Sequence, residues 1–262
     1  MDRLMQHVIK ILLIFVMTVV PFAGSTQEIS PSSVARAREI LAKVDDMWRG
    51  ESSRAVITMN VKTEHYQRHM KMEAWSKGTE KTLVTILSPL KEKGTATLKS
   101  ANHIYSYLPK TDRTIRLTSG MMTGSWMGSH FTNDDLVRES RMEEDYTPAV
   151  TFEGNRDGMD VIDFTLIPKE DAAIVWGKVL LSVRAKDYLP LVEIFYDEDM
   201  VETRRMVFSD FKMMAGAERP AVMRVIPTDK PDEYTELIYL ELDLDPLIND
   251  NFFSLNRLRQ SR

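Results

Sequence analysis

Apolar residues recur every three or four positions at Val34, Ala37, Leu41, Val44 and Trp48, which predicts one amphipathic helix. Ser30 precedes it as an N-cap, Pro31 suits its first position, and Gly50 stands where it should stop. Arg36, Arg38, Glu39 and Lys43 cover the opposite face. After Gly50 the period shortens to two. Ile57, Met59 and Val61 alternate with Thr58, Asn60 and Lys62; Met70, Met72 and Ala74 alternate with Lys71, Glu73 and Trp75. Further strands are predicted over 83–87, 103–108, 114–117, 146–154, 159–168, 178–186, 191–196, 202–211, 221–227 and 234–243. Lys77-Gly78, Asp157-Gly158, Asp197-Glu198-Asp199 and the run from Asp229 to Asp232 supply turn chemistry between them. Ten or more strands joined mainly by hairpins predict a large antiparallel sheet that must curl or close. The fold class is α+β, mostly β, with the first helix packed on the concave side.

Two segments break the pattern. Residues 1–25 have a basic start (Arg3, Lys10), ten mostly apolar residues (Ile11–Val20) and a small-residue end at Ala23-Gly24-Ser25. Ten is too short to span a bilayer, so a cleaved secretory signal is expected, with a single domain over 26–262. The second segment, Gly120 to Arg141, is rich in Gly, Ser, Met and aromatics before it turns helical, with Thr132 or Asn133 as its cap. Met121, Met122, Trp126, Met127, Phe131 and Leu136 there have no regular pattern to bury them. They read either as a fixed plug over the open sheet or as a mobile lid over an apolar cavity. The cavity wall is expected from inward-facing residues of the early strands: Met59, Val61, Met72, Ala74, Val84, Ile86 and Tyr105. A one-residue slip would turn any of these outward.

Composition narrows the chemistry. The 262 residues contain no Cys, which excludes thiolate nucleophiles, thiolate metal sites and disulfides. A net charge of −5 leaves no electrostatic footprint for nucleic acid. His65 and His69 fall at a predicted strand turn, outside any metal-binding pattern. His103 and His130 are isolated, and Gly124-Ser125-Trp126-Met127-Gly128 has its Ser in the wrong place for a nucleophile elbow. Glu143-Glu144-Asp145 and Asp134-Asp135 read as solvated acids. No catalytic set, metal site or cofactor is expected.

The run Trp126-Met127-Gly128-Ser129-His130-Phe131-Thr132-Asn133-Asp134-Asp135-Leu136 and the closing stretch Asp245 to Leu255 resemble the outer-membrane lipoprotein-sorting proteins, the LolA-like periplasmic carriers. An acid commonly stands in that family's pattern where this sequence has His130. The resemblance implies a half-open β-barrel wrapped round helices, with an apolar cavity for acyl chains and no catalytic residues. It implies a monomeric periplasmic carrier of lipoproteins or other lipids. Its candidate partners are an inner-membrane exporter of the RND/MMPL kind and an outer-membrane acceptor. The alternative is a sensor or adaptor of the same fold that binds lipid and regulates a membrane partner. Such sensors carry an extra C-terminal domain, and a chain ending at Arg262 favours the carrier.

Overall fold

The computed structural model describes residues 31–260 except 48, 49, 102, 139–141, 171 and 173. The expected signal segment, Ser30 and Trp48 therefore lie outside the described residues. The chain runs α1 (Pro31–Asp46), β1 (Ser52–Lys62), β2 (Gln67–Lys77), β3 (Lys81–Ser88), β4 (Ala96–Ser100), β5 (His103–Leu108), β6 (Arg113–Arg116), α2 (Asn133–Arg138), α3 (Met142–Asp145), β7 (Tyr146–Arg156), β8 (Met159–Pro168), β9 (Lys178–Arg184), β10 (Pro190–Tyr196), β11 (Glu202–Met214), β12 (Ala217–Pro227), β13 (Tyr234–Leu244) and α4 (Leu255–Arg259). Among the described residues no helix is long and apolar enough to cross a membrane.

All thirteen strands join one antiparallel sheet in the order β6-β5-β4-β3-β2-β1-β13-β12-β11-β10-β9-β8-β7. Two meanders meet where β1 pairs with β13, Ser53 opposite Leu244 and Lys62 opposite Tyr234. The sheet edges, β6 and β7, are thus consecutive in the chain, and the segment between them must travel from one edge to the other. Turn chemistry fixes the registers. Arg156 pairs with Met159 across Asp157 and Gly158, both at positive φ (53° and 85°), the two-residue turn that suits strand twist. Pro148 lies in β7, an edge strand, where a missing ladder donor is tolerated.

Register sorts the side chains into two faces. The inner face carries Met59, Met70, Met223 and Leu237 in one row and Val61, Thr235, Val225 and Met206 in the next. Helix α1 covers one half of it, packing Ala37, Ile40, Leu41 and Val44 on Ile162, Phe164, Leu166, Val179, Leu181 and Val183. Trp126, Met127 and Phe131 cover the other half, over β1–β3, β12 and β13. Not every helix sits inside. Helix α4 and Phe253 pack on the outer face, against Leu83, Leu98 and Tyr107. Past α1, Gly50 takes φ +54°, and a Cβ there would stand 2.4 Å from Asp245 Oδ1, the atom that accepts the Glu51 N–H at 2.7 Å.

Strand β4 is an element the sequence pattern does not signal. Four of its five residues are buried, because the Trp126 segment and the C-terminal segment leave both its faces covered, so it shows no polar alternation.

Candidate functional site

Between the sheet and Trp126 lies a cavity of about 100 Å³. Its walls come from β1 (Ser53, Ala55, Ile57), β2 (Met72, Ala74, Trp75, Ser76), β3 (Thr82, Val84) and β13 (Leu237, Tyr239, Leu242), and Trp126 forms part of its boundary. The structure brings Met72, Ala74 and Val84 to this wall. Met59, Val61 and Ile86 share the inner face but are packed solid in the adjoining core, each no more than 2% exposed. Tyr105 requires correction. It pairs with Leu98, which pairs with Leu83, and all three face outward beneath the C-terminal segment. Both faces of β5 carry large apolar side chains, so the sequence pattern does not distinguish Tyr105 from the inward-facing Ile104. The β13 residues have no short-range signal, because they reach the cavity through a pairing across the whole chain.

The segment over the cavity is folded tightly on itself. Trp126 N–H donates to Phe131 O (2.8 Å), Ser129 Oγ donates to Trp126 O (2.7 Å), and Phe131 N–H donates to Ser129 Oγ (3.1 Å). Thr132 caps α2. Its N–H donates to Asp135 Oδ2 (2.7 Å) while Asp135 N–H donates to Thr132 Oγ1 (3.2 Å), a reciprocal capping box. Trp126 and Phe131 are buried, with Trp126 Nε1–H donating to Thr97 Oγ1 at 3.2 Å. Met127 is partly buried against the same core. Met121 is exposed, and Met122, half-buried, belongs to no core cluster. The Leu136 side chain lies outside the described residues.

Sheet side chains pin this unit through polar bonds. Arg68 donates to Met127 O, Tyr66 OH to Gly128 O (2.6 Å), and His130 N–H to Thr235 Oγ1 (2.9 Å). Gly128 is required by both backbone and space: its φ is +69°, and a Cβ would stand 2.8 Å from Arg68 Nη1. Gly128→Ala should cost about 1–2 kcal/mol from the left-handed backbone alone. It should also displace Arg68 and raise the accessibility of Trp126 to acrylamide. Unchanged quenching would show that the segment does not depend on this turn.

The strongest pin is Arg204, which sequence reasoning did not single out. It is 5% exposed and grips Asp135 with two bonds, Nη1 to Oδ2 at 2.8 Å and Nη2 to Oδ1 at 2.6 Å. Nη1 also donates to His130 O (3.1 Å), and the guanidinium lies 4.4 Å from the ring centroids of both Trp176 and Phe195. Glu193 shares the inner face of β10 with Phe195 and is 6% exposed. Burial pushes its carboxyl up to about 7, Arg204 opposing and Asp135 adding to the shift. The folded protein therefore holds this proton where the unfolded chain, near 4.5, has lost it. Stability should fall as pH rises between about 4.5 and about 7, with a slope of at most about 1.4 kcal/mol per pH unit. Glu193→Gln should flatten that slope in urea titrations at a series of pH values; an unchanged slope would place the proton elsewhere.

His130 lies between Thr235 and Glu233: Nδ1 is 2.9 Å from Thr235 Oγ1, and Nε2 is 3.2 Å from Glu233 Oε2. The Glu64 backbone N–H and then His130 hold the Glu233 carboxyl below the usual range. The arrangement looks like a catalytic triad, but Thr235 is fully buried and its Oγ1 accepts the His130 N–H, so with the segment in place no substrate carbonyl reaches it. Among the described residues no group of three His, Asp or Glu is placed to hold a metal ion. His65 and His103 stay on exposed positions, His103 beside Arg116.

A family profile described as "uncharacterized protein" matches residues 78–260. The chain belongs to this family. Solved structures of three other proteins identify the fold. A DUF1329 family protein from Desulfovibrio piger is 20% identical over 86% of this chain and 99% of its own, with a TM-score of 0.78. A domain described as a putative outer membrane lipoprotein-sorting protein from Vibrio parahaemolyticus is 24% identical over 86% and 99%, with a TM-score of 0.75. A LolA superfamily protein from Nitrosomonas europaea is 23% identical over 84% and 98%, with a TM-score of 0.72. The fold is LolA-like, as the motifs at 126–136 and 245–255 imply. No curated protein matches the chain. In this LolA-like sheet the cavity, the covering segment and the Arg204 grip form one connected site.

Proposed function

We propose that this protein is a non-enzymatic periplasmic carrier that shields the acyl chains of lipoproteins or other lipids and passes them toward the outer membrane. The observation that carries the reading is a mostly apolar, half-open cavity over which a compact segment sets Trp126, with Phe131 buried in the adjoining core. A pocket of roughly 150 Å³ accepts one benzene ring. The present cavity, about 100 Å³, is too small for a whole acyl chain. A chain enters fully only as the covering residues leave.

Energetics make that exchange workable. Exposing Trp126 and Phe131 costs about 3–6 kcal/mol at about 1.5–3 kcal/mol per large apolar side chain. Each buried methylene returns about 0.8 kcal/mol, so roughly four to eight methylenes offset the opening. A shorter ligand leaves the lid shut, while a lipoprotein acyl chain exceeds the threshold. Because 125–132 is bonded internally, it moves as a body, and the polar pins from Arg68, Tyr66 and Arg204 set its closed position.

Export through residues 1–25, an RND/MMPL-type inner-membrane exporter as donor, an outer-membrane acceptor and a monomeric working state complete the proposal. The lipoprotein-sorting description of the Vibrio parahaemolyticus relative supports the direction of transfer. The test is purification from the periplasm without detergent, followed by lipid extraction and mass spectrometry. Acyl lipid should co-purify at near-stoichiometric amounts. Val84→Asp, which sets a charge on the cavity wall, should remove the lipid and leave the chain folded. A folded wild-type protein that neither carries acyl lipid nor takes it up from vesicles would overturn the reading.

A further inference from the structure

One end of the cavity is not hydrocarbon. Ser53, Ser76 and Thr82 stand side by side on β1, β2 and β3, in register on the inner face. Ser53 and Ser76 are both under 10% exposed, and their hydroxyl oxygens are 2.6 Å apart. Two hydroxyls carry two donatable protons, and the bond between them uses one. Among the described residues the other has no recorded acceptor, and the pair lines the cavity. A buried donor without an acceptor is costly, so the site favours a guest that brings an acceptor. None of the described residues that line the cavity is charged. The buried ammonium of Lys99, in register with Thr82, is given to the Thr79 carbonyl. A carboxylate or phosphate pressed against these hydroxyls would lose water, and the cavity lining offers it no cation in return.

We infer that the Ser53–Ser76 pair is the specificity-determining end of the cavity, reading the carbonyl oxygen of an uncharged, ester- or amide-linked acyl chain and discriminating against the free fatty acid. The hydrocarbon tail then lies along Ala55, Ile57, Met72 and Val84 toward Trp126, and the carbonyl takes the spare hydroxyl proton. The inference rests on the carrier reading and adds a chemical class to it.

Three twelve-carbon probes separate the possibilities: methyl laurate, sodium laurate at pH 8, and dodecane, each titrated against tryptophan emission. Wild-type protein should bind methyl laurate at least about 10-fold more tightly than laurate, because no residue of the cavity lining carries a charge to pair the ion. The Ser53→Ala/Ser76→Ala protein should lose about 3- to 10-fold in methyl laurate affinity, one neutral hydrogen bond's worth, with dodecane affinity unchanged. Dodecane thereby reports an intact cavity in the variant. Ser76→Thr, which keeps a hydroxyl, should retain the ester preference. If wild-type protein binds laurate as tightly as the ester, or the double variant keeps full ester affinity, the carbonyl-reading role is wrong and acyl carriage stands. If wild-type protein binds none of the three, both readings fall together.

Discussion

Arg204→Met should lower stability by about 3–5 kcal/mol, the cost of stripping one partner from a buried ion pair. Asp135, its side chain only 17% exposed, loses both guanidinium bonds in the variant. The partial exposure argues for the low end of the range. Glu193 loses the one neighbouring charge that favours its ionised form, so its proton should be held still more firmly. A second variant isolates the cause. Asp135→Asn removes the orphaned charge and keeps a side-chain oxygen to accept the Thr132 N–H, so the α2 cap survives. Arg204→Met/Asp135→Asn should recover most of the loss in urea denaturation. Failure to recover would assign the cost instead to the packing of the guanidinium between Trp176 and Phe195.

Leu41→Ala should destabilise by about 2–5 kcal/mol, because the cavity it leaves is enclosed by strands as well as helix. Leu41 is fully buried in the cluster that joins α1 to β7–β10. The same helix also carries a two-pronged ion pair, Arg36 to Glu153 at 2.6 Å, with both side chains about half exposed (48% and 46%). Arg36→Ala should therefore cost at most about 1 kcal/mol, since solvent screens such a pair. A Leu41 effect below about 0.5 kcal/mol, or an Arg36 effect above the Leu41 effect, would mean that the apolar stripe does not hold the helix on the sheet.

The apolar stripe of α1 was legible because the helix has one wet face, and the alternation of β1 because Thr58, Asn60 and Lys62 are polar on the face opposite Ile57, Met59 and Val61. Legibility ended where both faces are covered. In β5, Ile104 points inward and Tyr107 outward, and both are fully buried, so the pattern carries no sign of direction. Arg204 and Arg205 are adjacent and look alike in sequence. Only register reveals that Arg205 reaches outward to Glu202 while Arg204 turns into the core. Glu193 did leave a trace: a lone acid in Leu191-Val192-Glu193-Ile194-Phe195, at the parity of the buried Phe195. Of the cavity wall, the β1–β3 part follows from local hairpins, and the β13 part depends on a pairing that no local pattern encodes.

That pairing also sets the order in which the protein can mature. Ser53 meets Leu244, so the edge of β1 has no mate until nearly the whole chain is available. During synthesis β1–β6 can zip by hairpins, yet the edge toward β13 stays open to solvent and to other chains. The cavity has no wall on that side until Leu237, Tyr239 and Leu242 arrive. A contact closing so long a loop slows folding into the millisecond-to-second range expected of non-local β topologies. Completion of the cavity wall should therefore be the last step of refolding. The half-made sheet is the form in which this protein would itself need shelter from aggregation.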